Sequence, residues 1–144
     1  MQTRGNRRDP DLLVDTSVAV ALLVTDHEHH AATSDALAGR RLGLAGHAAF
    51  ETFSVLTRLP PPARRTPAAV ARLLASNFSQ SRFLGEDAAG KLLARLAAEG
   101  IAGGSVYDAL VGAAASEHGL TLASRDRRAR DTYRALNVSL EFLA

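Results

Sequence analysis

The chain has 144 residues, 17 basic and 15 acidic side chains, and therefore a formal charge of only +2. Its length suits one domain with its own core, its 47% of hydrophobic residues argues against disorder, and the absence of cysteine excludes disulfides and cysteine-ligated zinc. The longest apolar run, residues 18–24, is too short to cross a membrane, and the basic N-terminus lacks the apolar stretch of a signal peptide. We therefore expect a flexible basic N-terminal arm at residues 1–10, a single domain at 11–144 and a location in the cytoplasm.

Strand-like and helix-like segments alternate along the chain. Short apolar runs predict strands at residues 11–15, 41–45, 120–123 and 138–142, with a weaker candidate at 81–84. Helical spacing and terminal signals predict helices at 18–24, 28–37, 47–59, 66–77, 86–99, 105–118 and 126–136. In the helix at 86–99, we expect Leu92, Leu93 and Leu96 to face inward. The alternation indicates an α/β fold with a mostly parallel sheet of four to five strands covered by helices.

Four acidic residues stand where predicted strands end or predicted helices begin. Asp15 closes the first strand and Asp126 follows the strand at 120–123, whereas Glu51 and Asp108 lie near the starts of two helices. In an open parallel sheet the carboxyl ends of the strands meet at one edge, where ligands bind. We therefore expect these four residues to form one partly buried group, the acidic cluster.

The acidic cluster needs compensation for its charge. Two carboxylates about 4 Å apart repel by roughly 4 kcal/mol at an effective dielectric constant near 20. No Lys or His stands directly beside any of the four acids in the sequence. A divalent cation is therefore favoured, and a set of oxygen ligands selects Mg²⁺ or Mn²⁺. Taken singly, Asp15 and Asp108 are also explained as helix caps, and Glu51 as a solvated helix residue.

Four motifs carry a resemblance to a known family. VDTSV, FETFSVL, YDALVGAAA and LASRD, in this order and spacing, resemble those of PIN-domain proteins, and more closely those of the VapC toxins of VapBC toxin–antitoxin pairs. The resemblance covers about residues 12–143 and implies a three-layer α/β/α PIN domain with a mostly parallel central sheet at residues 11–144. It also implies a Mg²⁺- or Mn²⁺-dependent endoribonuclease that cuts RNA phosphodiester bonds, leaves 5′-phosphate ends and so inhibits translation and growth.

The resemblance also implies roles for single residues and for partners. Its catalytic residues match the acidic cluster, Asp15, Glu51, Asp108 and Asp126. We expect Asp15 and Asp108 to bind the metal directly, Asp126 to bind it directly or through water, and Glu51 to position water. Thr16 and Ser124 are expected to supply supporting hydroxyls, Ser124 standing where the family often has Thr.

The partners that the resemblance implies are a VapB-type antitoxin and a second copy of the chain. The antitoxin is expected to neutralise the toxin in a hetero-oligomer, with its tail in an apolar groove on the helices at 28–37 and 47–59. For Phe50, Phe53 and Leu56 taken singly, a place in the core is the simpler explanation.

Basic residues follow the last of the four motifs. Arg125, Arg127 and Arg130 are candidates for binding the RNA backbone, and Arg127, Arg130 and Arg134 would share one helix face. A solvated face paired with acids such as Asp131 explains the same pattern.

The histidines give weaker signals. His27, His29 and His30 resemble a metal-binding tract, although we expect them to be exposed at a helix start. His47 and His118 are expected at helix ends.

Three other classes of protein share part of this pattern. A haloacid-dehalogenase phosphatase needs an Asp where this chain has Ser17, and a receiver domain needs a late Lys, whereas Lys91 lies within a predicted helix. A catalytically silent RNA-binding or scaffold module of the same fold remains an alternative. The intact acidic cluster argues against it, because buried carboxylates are costly to keep without a ligand.

Overall fold

The computed structural model describes residues 10–144 and contains one parallel sheet in this part of the chain. Its strand order is β2–β1–β3–β4, and each neighbouring pair is parallel. The four strands are β1 (Leu12–Val14), β2 (Leu42–Leu44), β3 (Leu122–Ser124) and β4 (Leu140–Phe142). The predicted α/β fold with a parallel sheet is confirmed. The fifth candidate strand, at 81–84, is wrong, since that segment makes only one isolated bridge, between Ala45 and Arg82.

Seven α-helices connect and cover these strands within residues 10–144. They are α1 (Thr16–Leu23), α2 (His30–Leu37), α3 (Ala48–Thr57), α4 (Pro67–Asn77), α5 (Glu86–Glu99), α6 (Ser105–Glu117) and α7 (Arg130–Ala135). A short 3-10 helix, Arg127–Ala129, precedes α7, so the predicted single helix at 126–136 is wrong in its first turn. Pro67 begins α4 after the Thr66 cap, as the Thr-Pro pair predicts.

Alternate residues of β1 point to opposite sides of the sheet, which creates two cores. Leu12 and Val14 pack with apolar residues of helices α1 to α4. Leu13, between them, packs with residues of α6 and α7, including Val111 and Tyr133. All three β1 side chains are fully buried. The predicted three-layer α/β/α arrangement is therefore confirmed, with the sheet in the middle.

Helix α5 lies outside the second core and packs mainly on α6. Leu92 is buried and Leu96 is partly buried in a small cluster with Ala109 and Leu136. Leu93, in contrast, is 73% exposed, so the expectation that it faces inward is wrong. Leu92 and Leu93 are about 100° apart around the helix, and a helix packed on one side covers only one of the two positions.

The N-terminal arm predicted at residues 1–10 lies outside the described residues except for Pro10, which is buried. Within residues 10–144, none of the helices has the length and apolar character needed to span a bilayer.

Candidate active site

The acidic cluster lies where the strands end and the following helices begin. Asp15 directly follows β1 and caps α1, and Asp126 follows β3, the strand next to β1 in the sheet. Glu51 and Asp108 lie in the first turns of α3 and α6. The other three carboxylates all act electrostatically on Asp108, which places the four in one neighbourhood. The structure thus brings together the four acids that the sequence singles out.

Asp15 is buried, with only 4% of its surface exposed, and both of its oxygens accept hydrogen bonds. The Ser17 hydroxyl and the Val18 backbone N–H donate to Oδ1 at 2.6 and 3.2 Å, and the Tyr133 hydroxyl donates to Oδ2 at 3.0 Å. Burial raises the pKa of Asp15, and hydrogen bonds from hydroxyls, Ser124 first among them, oppose that rise. The helix-cap explanation therefore holds for Asp15, but a cap alone does not require so many donors.

Tyr133 and Ser17 belong to this site, and sequence reasoning did not assign either to it. Tyr133 is 1% exposed and lies 118 residues from Asp15, so no local pattern could have paired them. Burial and the charge of Asp15 both raise the pKa of Tyr133, so its phenol stays a donor. Ser17 also accepts the Arg125 backbone N–H at 2.9 Å, which ties Asp15 to the segment after β3. Its place in the VDTSV motif was the only signal for it.

The two hydroxyl residues expected at the site both contact the acidic cluster. Thr16 donates to Glu51 Oε1 at 3.1 Å, across 35 residues of sequence. The fully buried Ser124 accepts the Asp126 backbone N–H at 3.0 Å and so orients the start of the 3-10 helix. The Asp126 carboxylate itself accepts the Arg128 backbone N–H at 2.9 Å and pairs with the Arg128 guanidinium at 3.3 Å.

Asp108 shows how strongly the carboxylates of the cluster act on one another. Burial, followed by the charges of Asp126 and Glu51, raises its pKa to about 6, and Asp15 adds to the same effect. Arg128 opposes the rise but does not cancel it. Excess negative charge at a half-buried carboxylate is the condition that a bound cation relieves.

The donor set of the acidic cluster fits a hard divalent cation, because it consists of carboxylate and hydroxyl oxygens. In the described residues 10–144, no three His, Cys, Asp or Glu side chains already stand together as a metal-binding group. The carboxylates of Asp15 and Asp126 accept hydrogen bonds from protein donors. A cation would compete with these donors for the same oxygens.

The predicted RNA-binding arginines differ in their surroundings. Arg127 is exposed and, with Arg125, lines a cleft of about 530 Å³ that also reaches Thr16. Arg125 donates to the Thr33 hydroxyl at 3.3 Å and the Ala144 carbonyl at 2.9 Å. The Arg130 guanidinium lies 4.4 Å from the centre of the Phe142 ring, and its Nε is buried without a hydrogen-bond partner in the described part of the chain. The three arginines at 127, 130 and 134 do not form one exposed basic face, because the Arg130 guanidinium packs on Phe142 while Arg127 and Arg134 are exposed.

The remaining predicted residues divide between surface and core. His47 and His118 lie at helix ends, as expected. His29 is exposed, but His27 is half-buried, and His30 is too, with its Nδ1 2.9 Å from the Ala21 carbonyl oxygen.

The core explanation for the aromatic stripe of α3 holds only in part. Leu56 is fully buried and Phe53 packs against the first core. Phe50 is 65% exposed, so a core position is wrong for it. Its ring lies at the surface near the rings of His47 and Phe83.

Changing Tyr133 to Phe is expected to lower the free energy of unfolding by about 1–3 kcal/mol, because a buried carboxylate loses a donor while the ring keeps its packing. Urea unfolding of the two proteins at pH 7 measures the effect. Tyr107→Phe is the matched control, since its ring is half exposed and it should unfold like the wild type. Equal stabilities of Tyr133→Phe and wild type would show that the bond to Asp15 contributes nothing.

Comparison with known proteins agrees with the geometry. A family model described as PIN domain matches residues 12–135. The chain therefore belongs to the PIN domain family.

Two relatives resemble this chain in sequence over 90% of its length. Ribonuclease VapC27 of Mycobacterium tuberculosis (strain ATCC 25618 / H37Rv) is 50% identical over 129 residues, which is 90% of this chain and 94% of that protein. Ribonuclease VapC40 of Mycobacterium tuberculosis (strain CDC 1551 / Oshkosh) is 47% identical over 131 residues, which is 90% of this chain and 96% of that protein.

A solved structure shares the fold. The DNA-bound VapBC from Salmonella typhimurium has a TM-score of 0.67 at 20% identity and covers 93% of this chain and 98% of that chain.

Proposed function

We propose that this chain is a metal-dependent endoribonuclease that hydrolyses RNA phosphodiester bonds and acts as the toxin of a type II toxin–antitoxin system. The observation that carries the proposal is the convergence of four carboxylates at the carboxyl edge of a parallel sheet, where burial and then the charges of the other three raise the pKa of Asp108 to about 6. Identity of 50% with ribonuclease VapC27 over 90% of the chain supports the same activity. RNA cleavage would inhibit translation and growth.

Asp15 and Asp108 would hold Mg²⁺ or Mn²⁺ directly, and Asp126 directly or through water. The bound cation supplies charge neutralisation and Lewis acidity at the scissile phosphate. Ser17 and Tyr133 hold Asp15 in place, and Ser124 orients the backbone at Asp126.

Glu51 would orient the attacking water and accept its proton. It is half-buried, and the Thr16 hydroxyl occupies its Oε1 at 3.1 Å, which leaves Oε2 for the water. Arg125 and Arg127, at the mouth of the neighbouring cleft, would hold the RNA backbone.

The partners proposed are a VapB-type antitoxin and a second copy of the chain. The solved structure from Salmonella typhimurium is a VapBC complex, and its shared fold supports the same kind of pairing. Because the proposed substrate is RNA, we infer that the toxin acts in the cytoplasm.

The test is cleavage of total RNA by the purified chain in Mg²⁺ or Mn²⁺, compared with EDTA. We expect metal-dependent cuts that leave 5′-phosphate ends, mapped by ligation to the new ends. An Asp108→Asn preparation controls for a contaminating nuclease. If folded, antitoxin-free protein makes no cuts in either metal, the silent RNA-binding module replaces the nuclease.

Removing the charge of Asp108 is expected to change how stability depends on pH in EDTA. The pKa of Asp108 in the folded protein, about 6, exceeds the ordinary 3.8, so protonation of this carboxyl favours the folded state. That contribution to stability is fully present below about pH 4 and is lost as the pH rises through about 6. Wild type should therefore lose stability relative to Asp108→Asn between about pH 4 and 7. Urea unfolding across that range measures the difference. A difference that does not vary with pH would contradict the raised pKa.

A further inference from the structure

One face of helix α3 continues beyond the acidic cluster and lines a separate cleft. His47, Glu51, Ser54 and Arg58 are spaced four, three and four residues apart, so they lie along the same side of the helix. With Thr16, Phe50 and Val55, these residues line an open cleft of about 310 Å³. Glu51 and Thr16 therefore belong to both the acidic cluster and this cleft, which we name the α3 cleft.

The positively charged side chain of Arg58 lies at the far end of the α3 cleft. It lies seven residues after Glu51, which is about 10 Å along a helix. Its Nε donates to the Ser54 hydroxyl at 3.3 Å, and it forms no ion pair with an acidic residue in the described range 10–144. The exposed guanidinium is thus free to hold an anion, and its planar fork matches the oxygens of a phosphate.

Phe50 provides an exposed aromatic ring on the same cleft. It is 65% exposed, and its ring centre lies 6.4 Å from that of His47 and 6.1 Å from that of Phe83. His47 in turn stacks on Tyr107, with ring centres 5.1 Å apart. These neighbours restrict the Phe50 ring while one side stays open to solvent. Such a ring is a platform on which an unpaired base stacks.

A second cleft adjoins the α3 cleft. The cleft that contains Arg125 and Arg127 shares Thr16 and Val55 with the α3 cleft. The two clefts therefore meet at Thr16, which donates to Glu51 of the acidic cluster, and each cleft has arginine on its wall. The α3 cleft is lined mainly by hydroxyl, carboxylate, guanidinium and aromatic groups, a mixture that suits a single nucleic-acid strand better than an apolar protein surface.

We propose that the α3 cleft binds one nucleotide of single-stranded RNA beside the scissile phosphate, with its base stacked on Phe50 and its phosphate held by Arg58. The inference rests on the proposed nuclease function, because it assigns the position of the substrate in that site. It gives the enzyme a means to hold unpaired RNA without reading base edges.

The first experiment measures binding of a short fluorescent single-stranded RNA in EDTA, where cleavage is stopped. Arg58→Gln should weaken binding about tenfold and reduce the slope of log affinity against log salt by about 0.7, the loss of one phosphate contact. Arg72→Gln is the matched control, because it removes the same charge from an exposed position of α4 that lines neither cleft. Equal effects of the two variants would overturn the role of Arg58.

The second experiment isolates the stacked base. Phe50→Ala should weaken binding of the normal RNA at least about fivefold, and should not affect an RNA that is abasic throughout. Arg58→Gln should weaken binding of both RNAs. If Phe50→Ala instead changes the oligomeric state in light scattering and leaves RNA affinity unchanged, the ring belongs to a contact between protein chains and the proposal fails.

Cleavage of the same RNA in Mg²⁺ separates this inference from the proposed function. We expect Arg58→Gln to raise KM with little change in kcat, because it removes binding shared by substrate and transition state. Cleavage by both arginine variants with the wild-type KM would leave the nuclease intact and overturn the subsite. Binding that depends on Arg58 and Phe50 without any cleavage would support the subsite and overturn the nuclease.

Discussion

Replacing Asp15 by asparagine is expected to lower RNA cleavage roughly a thousandfold, a loss of about 4 kcal/mol of transition-state stabilisation. The amide keeps the shape of the side chain but removes the negative charge that would hold the cation. Its oxygen can still accept the Ser17 hydroxyl and the Val18 N–H, and asparagine caps helices as well as aspartate does. The fold should therefore survive the change.

Initial cleavage rates in Mg²⁺ and thermal unfolding in EDTA test these two statements separately. Stability should change by no more than about 1–2 kcal/mol, since the donor from Tyr133 loses its charged acceptor while burial of a charge is relieved. Asp131→Asn is the matched control, because that exposed acid of α7 has no part in the proposed chemistry. Full activity of the Asp15 variant would remove the mechanism.

Replacing Gly43 by alanine is expected to be the most destabilising of the small substitutions in the sheet. Gly43 lies in β2, and a Cβ atom there would press on the backbone carbonyl of Gln80 and lie 2.9 Å from the Ser81 nitrogen. Both obstacles are backbone, and Ser81 is held by a hydrogen bond from the Leu44 N–H at 2.9 Å. We expect a loss of about 3 kcal/mol and a fall in melting temperature of roughly 10 °C.

Gly90→Ala makes the same chemical change where space is available. A Cβ at Gly90, in the middle of α5, has no neighbour within 4 Å. Alanine also favours the helix, so the free energy of unfolding should rise by about 0.5–1 kcal/mol, and the melting temperature should rise with it. Scanning calorimetry of the two variants measures opposite shifts. A shift of the same sign in both would show that the approach of residues 80–81 to β2 is not rigid.

Local sequence patterns determined the order of the elements and the identity of the acidic cluster. The apolar run before Asp15 and the cap before Pro67 both act within a few residues, so the strand and the helix they predict are correct. The acids were found for a related reason, since residues at the ends of parallel strands share one edge whatever the details of packing. The four-stranded sheet follows from the same alternation, although the segment at 81–84 does not join it as a strand.

Only the tertiary structure decided which surfaces are covered and which distant groups meet. Leu93 and Phe50 belong to apolar stripes in the sequence, yet they are 73% and 65% exposed, because a stripe does not state how much of it a neighbour covers. Tyr133 donates to Asp15 across 118 residues, and Arg130 packs on Phe142 instead of facing solvent. These contacts depend on the packing of α7 against the sheet, and periodicity along one segment carries no information about that packing.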